Sequence, residues 1–331
     1  MNTAKRIALA LTASALGCMN PDDPGKLVPA TVEQDPSLPR IDVNGTALHA
    51  EAFGDPRAPM IVVLHGGPGG DYRYLLPYRA LAGDGFYVVF WDHRGAGLSQ
   101  RHDARTYDDP GLYLEDLRRV IEHYTSSSAQ PIIFLGHSWG AMYATWFIDA
   151  YGDYGGRVAG AVLSEPAAFT SRGLQDFLRH TSPPWGFTSE ALNDVAWSEQ
   201  FMSPGDHARA DFLFKISQLP GMPRQHDDPD NPPPTWRGGA VVNHAIVKKA
   251  LQRGFDWTTH LRDFPHKVLF LRGELNENLP LAHQQELASH YARSEVFTVL
   301  GAGHEAIWEK QDEFLTHIRA YLAEINAGGA R

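Results

Sequence analysis

The residues best suited to covalent chemistry in this chain are Gly136-His137-Ser138-Trp139-Gly140. They follow the continuous apolar run Ile132-Ile133-Phe134-Leu135, which reads as a buried strand, and they open the apolar stretch Ala141 to Tyr151, which reads as a helix. A serine set between glycines in a strand–turn–helix context sits on a sharp, strained turn that presents its hydroxyl. The glycines are required because the backbone there is crowded and tightly bent. The helix N-terminus behind Ser138 favours the negative charge that develops when a carbonyl is attacked. Ser138 is therefore the expected nucleophile of an acyl transfer.

A serine hydroxyl needs a base, and histidine titrates near operating pH. The chain has 16 His, and most His in a protein are surface or hydrogen-bonded core residues. His304 is singled out by Gly301-Ala302-Gly303-His304-Glu305, a glycine-flanked loop after the last strand signal and before a terminal helix, and by the order Ser before His. His304-Glu305-Ala306-Ile307 is followed by Trp308, so the His-Glu-x-x-His pattern of zinc peptidases is absent and no metal or other cofactor is expected. His65-Gly66-Gly67-Pro68-Gly69-Gly70 follows another strand signal, Ile61 to Leu64. It lacks the Gly-Lys-Ser/Thr ending of a phosphate loop. It suits an oxyanion hole instead, with the Gly67 and Trp139 N–H groups as the expected donors.

Strand and helix signals must alternate to carry these loops. Asn44-Gly45 between Ile41–Val43 and Ala47–Phe53 predicts a hairpin. Buried strands follow at 61–64, 87–91, 132–135, 158–163, 268–271 and 296–300, with helices at 112–124, 141–151, 281–291 and 307–325. This rhythm predicts an α/β fold with a mainly parallel sheet. It lapses from about Ala167 to Asp263, where Trp185, Trp197, Trp236 and Trp257 accompany helical signals at 189–202 and 239–253. A mainly helical cap over the ligand edge of the sheet is expected there, dividing the core into 40–166 and 264–326, with 327–331 as a tail.

A formal net charge of −10 over 331 residues, without a basic cluster, excludes nucleic acid as a partner. A small molecule or short peptide is the expected substrate. Lys5 and Arg6 before the short apolar run Ile7 to Leu16 predict a signal peptide over 1–17 rather than a membrane span. Cys18, the single cysteine, follows Ala15-Leu16-Gly17 as in a bacterial lipobox, although Ala15 replaces the usual Leu. Lipidation at Cys18 and a Pro- and Asp-rich tether over 18–39 are expected, giving an exported, membrane-anchored lipoprotein in the periplasm or at the cell surface.

From about Arg40 to Ile325 the chain resembles an α/β-hydrolase of the proline iminopeptidase-like group. The resemblance rests on His65 to Gly70, on Asp92-His93-Arg94-Gly95-Ala96-Gly97-Leu98-Ser99, on the Ser138 elbow and on Gly303-His304. Asp92 and Arg94 are expected to tie loops together by ion pairing. The group places an Asp in Gly-x-x-Asp-x-x-x-Pro, but here the segment reads Gly273-Glu274-Leu275-Asn276-Glu277-Asn278-Leu279-Pro280, with Asn276 at the Asp position. An amide can accept from an imidazole but cannot stabilise imidazolium by charge. Glu165, in Leu163-Ser164-Glu165-Pro166, ends the preceding core strand, where some α/β-hydrolases carry their acid. Glu165 is the expected acid, Glu277 the alternative and Asn276 the third.

The resemblance implies a serine hydrolase acting through an acyl-enzyme on a small ester or amide, as an aminopeptidase or as an esterase or lactonase. An aminopeptidase needs carboxylates for a substrate ammonium, and the cap offers Glu190, Asp194 and Glu199. Epoxide hydrolases and dehalogenases share the fold but use an Asp nucleophile, which Ser138 excludes. A non-catalytic binding protein on the same scaffold is the remaining alternative, and it would explain Asn276 as decay of the triad.

Overall fold

The computed structural model describes residues 28–181, 207–218, 225, 228 and 230–328. The expected signal peptide, Cys18, the 189–202 helix and Glu190, Asp194 and Glu199 lie outside the described residues.

An eight-stranded sheet runs in the order β1-β2-β4-β3-β5-β6-β7-β8. Its strands are β1 (Arg40–Val43), β2 (Thr46–Phe53), β3 (Met60–Leu64), β4 (Tyr87–Trp91), β5 (Ile132–His137), β6 (Val158–Ser164), β7 (Val268–Gly273) and β8 (Ser294–Val299). The β1–β2 hairpin turns on Asn44 (φ 47°) and Gly45 (φ 69°), the positive-φ pair that Asn-Gly supplies most readily. From β4 to β8 every pairing is parallel, so the chain leaves each of those strands at the same edge. Period-two alternation gives the sheet two buried faces. Met60, Val62 and Leu64 enter one apolar cluster while Ile61 and Val63 enter the other. Ile132 and Phe134 part from Ile133 and Leu135 in the same way. Burial on both sides is why these strands read as unbroken apolar runs.

Helix α1 (Gly111–Tyr124) joins β4 to β5, and helix α2 (Trp139–Tyr151) joins β5 to its neighbour β6. Between β6 and β7 lie α3 (Ser171–Thr181), α4 (His207–Gln218) and α5 (Ala240–Arg253). The two stems of this insertion meet in a single antiparallel bridge, Thr170 to Asp256. Trp257 N–H donates to the Phe169 carbonyl at 2.9 Å and Ser171 N–H to the Phe255 carbonyl at 2.9 Å, which closes the stems on each other. The chain then continues through β7, α6 (Leu281–Ala288), β8, α7 (Ala306–Glu309) and α8 (Gln311–Gly328).

Three expectations need correction. The single helix expected over 307–325 is two, interrupted at Lys310 (φ −131°, ψ 51°). The last helix runs on to Gly328, into the expected tail. The tether does not extend to residue 39: Val28, Thr31 and Val32 are buried, and Val32 N–H donates to the Leu98 carbonyl at 2.9 Å. Three buried residues and a backbone hydrogen bond are enough to dock a segment otherwise rich in Pro and Asp.

Candidate active site

The C-terminal edge of the parallel strands gathers the loops after β3, β5, β6, β7 and β8, the place where open α/β sheets bind ligands. Ser138 stands between β5 and α2 with φ 53° and ψ −117°, a conformation that costs strain in any residue but glycine. Its N–H donates to the Ser164 carbonyl at 2.7 Å, and its own carbonyl receives Ala141 N–H at 3.0 Å. Both flanking glycines are obligatory. A Cβ on Gly136 would run into the Gly140 carbonyl and Ala141, and one on Gly140 into the Leu64 carbonyl. Trp139, as the first residue of α2, has no acceptor for its N–H within the helix.

His304 follows β8 and is 7% exposed. Its Nδ1 lies 2.6 Å from Oε2 of Glu165, which is fully buried at the end of β6. The other oxygen of Glu165 accepts Gly273 N–H at 2.8 Å. Glu165 also takes φ 49°, a second strained non-glycine residue at the same edge. A carboxylate so close to Nδ1 holds the ring proton there and leaves Nε2 as the basic nitrogen. Asn276 is buried beside them, with Nδ2 at 2.9 Å from Glu165 Oε2 and 3.1 Å from His304 Nδ1. Its Oδ1 accepts Asn278 N–H at 3.1 Å, so the amide turns its N–H₂ end toward the pair. Asn276 therefore donates to the carboxylate. The expectation that it could accept from the imidazole fails, because its N–H₂ end and not its oxygen faces the ring. Glu277, the alternative acid, is exposed. One residue along a tight loop reverses side-chain direction.

Two residues that carried no expectation link these loops. Tyr74, within the 3₁₀ segment Arg73–Ala82, accepts Gly66 N–H at 2.9 Å, and its oxygen lies 2.6 Å from His137 Nδ1. His137 Nε2 lies 3.0 Å from the His304 carbonyl, which can only accept, so Nε2 carries the proton and Tyr74 donates to Nδ1. Burial, and then the neighbouring His304, pushes His137 well below the ordinary histidine range, which keeps it neutral. This chain of bonds ties the loop after β3, the elbow and the His304 loop together. Because Tyr74 takes Gly66 N–H, Gly67 is the next N–H along that loop, and Gly67 is exposed. Position x in the elbow motif was a signal for His137; Tyr74 had none.

Asp92 and Arg94 serve the scaffold. Arg94 grips Asp116 through two nitrogens at 2.6 and 2.8 Å, and Asp92 holds His49 Nδ1 at 2.8 Å together with the N–H groups of Tyr72 and Leu98. His137, Glu165 and His304 are the group among the described residues whose donor atoms crowd as metal ligands do. The 2.6 Å contact between Glu165 and His304 is a hydrogen-bond length, closer than two ligands on one zinc ion approach each other.

Residues 55–200 match the family model described as serine aminopeptidase, S33. A proline iminopeptidase of Pestalotiopsis fici is 24% identical over 290 residues, covering 85% of this chain and 98% of the relative. Epoxide hydrolase A of Mycobacterium tuberculosis is 33% identical over 210 residues, covering 55% of this chain and 63% of that protein. Among solved structures, a proline iminopeptidase-related protein of Thermus thermophilus superposes with a TM-score of 0.60 at 22% identity, covering 87% of this chain and 98% of its own. That likeness is one of fold. The chain is an α/β-hydrolase enzyme of serine-hydrolase type, with a proline iminopeptidase-like sequence.

Proposed function

We propose that the enzyme cleaves a small ester or amide through an acyl-enzyme on Ser138. In this reading Ser138 Oγ attacks the carbonyl carbon as His304 Nε2 takes its proton, and the carbonyl oxygen becomes an oxyanion held by Gly67 and Trp139 N–H. Collapse expels the alcohol or amine, which takes the proton from His304. Water then repeats the sequence and releases the acid. The observation that carries the reading is the 2.6 Å contact of buried Glu165 with His304 Nδ1, which sets the tautomer and offsets the imidazolium charge in both steps. Asn276 adds a second donor to the same carboxylate oxygen, which favours the ionised acid and leaves the proton on His304 Nδ1.

The family description and the iminopeptidase relative support an aminoacyl amide as substrate. Ser138 at the elbow weighs against epoxide opening by the route expected of an Asp nucleophile. Turnover of aminoacyl amides against short-chain p-nitrophenyl esters tests the reading. Preference for substrates with a free α-amine supports an aminopeptidase; equal turnover after N-acetylation supports an esterase or lactonase. No turnover of either class, with Ser138 inert to acylating agents, would favour the binding scaffold. Export and lipidation at Cys18 belong to the same proposal, supported by Lys5, Arg6 and the apolar run before Cys18.

A further inference from the structure

The loop that carries Gly67 is gripped from outside by the insertion. The Asn243 amide Nδ2, on α5, donates to the Pro68 carbonyl. Gly239 N–H, just before α5, donates to the Gly69 carbonyl at 2.7 Å. Asp71 accepts Trp236 N–H at 2.7 Å and Arg237 N–H at 3.1 Å on one oxygen, and Arg73 Nη1 donates to the Thr235 carbonyl at 3.2 Å. The approach is backbone to backbone. A Cβ on Gly69 would run into the Gly239 carbonyl and Asn243, and one on Gly239 into the Gly95 carbonyl.

The gripping segment is itself held rigidly. Asp211 of α4, fully buried, receives Ala240 N–H at 2.9 Å on one oxygen, and Arg101 Nε at 3.0 Å and Arg237 Nε at 2.7 Å on the other. Arg101 continues to the carbonyls of Gly97 and Gly238, and Arg237 to that of Pro29 at 2.8 Å. Two buried guanidiniums on one carboxylate are worth keeping only where each proton finds an acceptor, as most do here. The result fastens residues 235–243 to the 92–101 loop and to the N-terminal segment.

We propose that this part of the insertion is a fixed brace for the oxyanion loop, and that Asn243 and Asp71 are positioning residues that set the direction of Gly67 N–H. The proposal rests on the reading of Gly67 as an oxyanion donor. The glycines have no side chains to hold the loop's shape, so beyond the Tyr74 bond to Gly66 N–H that shape rests on partners on the carbonyls of Pro68 and Gly69, one and two residues beyond the donor. Oxyanion stabilisation depends on donors that are already placed, and misplacement by about 1 Å costs on the order of 10²-fold.

Asn243→Ala and Gly239→Ala in the full chain test this. Asn243 is half-buried, so Asn243→Ala removes only the amide, whereas the Cβ of Gly239→Ala, at a φ of −102° and ψ of 91° that alanine can adopt, meets the Gly95 carbonyl and pushes the segment off the loop. With a p-nitrophenyl ester, kcat should fall about 10- to 100-fold while KM stays within about three-fold. Inhibition by an alkyl trifluoromethyl ketone, whose carbonyl oxygen becomes the oxyanion when Ser138 adds to it, should weaken by the same factor as kcat/KM. The pH dependence of kcat/KM should not move, because Glu165 and His304 are untouched. Asn243→Asp should fall below Asn243→Ala, since it sets a carboxylate against the Pro68 carbonyl. If both alanine variants keep the parent kcat and ketone affinity, or change KM alone, the brace is overturned while the serine reading stands. If Ser138→Ala itself retains turnover, the reading beneath the proposal has failed.

Discussion

Moving the active-site carboxylate from position 165 to position 276 is the most searching perturbation of the triad. Glu165 Oε1 accepts Gly273 N–H at 2.8 Å, while Oε2 receives both Asn276 Nδ2 at 2.9 Å and the His304 Nδ1 proton at 2.6 Å. Glu165→Gln cannot satisfy this arrangement in either orientation. With its oxygen toward Gly273, its amide N–H₂ opposes the Asn276 amide and forces His304 Nδ1 to accept, which puts the ring proton on Nε2 and removes the base. With its oxygen toward His304, N–H₂ opposes Gly273 N–H in a buried site. Loss of the acid should therefore cost about 10⁴-fold in kcat, or about 5.4 kcal/mol of transition-state stabilisation, with KM changed far less. Adding Asn276→Asp returns a carboxylate within reach of Nδ1, since the present amide nitrogen is 3.1 Å away. The glutamine amide introduced at position 165 can then turn to donate to the carboxylate introduced at position 276. The double variant should recover at least about 10²-fold over Glu165→Gln, whereas Asn276→Asp alone should lose activity by setting two buried carboxylates side by side. Steady-state kinetics on one ester substrate, with thermal melts to verify folding, measures all three. A folded double variant no more active than Glu165→Gln would refute the argument that charge beside Nδ1 is what position 165 supplies.

Other outcomes follow from the same geometry. Asn276→Ala, which removes a donor but leaves the charge, should lower kcat about 10-fold; a loss equal to that of Glu165→Gln would make the amide the essential partner. Burial depresses His65, His93 and His137 below the ordinary value of 6.5, so the stability they permit is present above that pH and is lost as pH falls and the unfolded chain takes up protons. Each contributes up to about 1.4 kcal/mol per pH unit, and denaturant titrations from pH 8 to 5 should show the decline. Asp71, pushed up to about 7 by burial and by Asp92, acts with the opposite sign: its raised folded value gives stability that grows as pH falls from 7 toward 3.8. Asp71→Asn should therefore steepen the acid-side loss, and an unchanged slope would contradict its burial as an ionisable group. The mature chain should partition into detergent if Cys18 is lipidated, and Cys18→Ala should alter processing or release it from membranes; an unmodified N-terminus starting elsewhere would refute that.

Local patterns carried the scaffold because strands buried on both faces must be apolar throughout. The runs at 61–64, 132–135 and 268–271 therefore marked both the strands and the ends from which functional loops leave. The elbow was equally legible, since Gly136 and Gly140 are demanded by contacts within a few residues and across one strand. Glu165 could be ranked only by its place at a strand end, and what distinguishes it is a meeting with residues 108 and 139 positions away. Asn276 was read by type as an acceptor, but its orientation depends on Asn278 N–H, which no spacing rule conveys. The docking of Val28, Thr31 and Val32 was hidden by the Pro and Asp around them, because three buried side chains make no period. The brace on the oxyanion loop was invisible for the same reason. Asn243 reaches Pro68 across 175 positions and Asp71 reaches Trp236 across 165, both through backbone groups common to every sequence.

The measurement that bears most directly on the central claim is mapping of a fluorophosphonate adduct by peptide mass, alongside turnover, for the parent and Ser138→Ala. An activated serine should be phosphonylated at Ser138 alone, with hydrolysis lost in step. Ser138→Ala should carry no adduct and lose about 10³- to 10⁶-fold in turnover while melting as the parent does. An adduct on another residue, or a folded Ser138→Ala variant that still turns over substrate, would contradict the account.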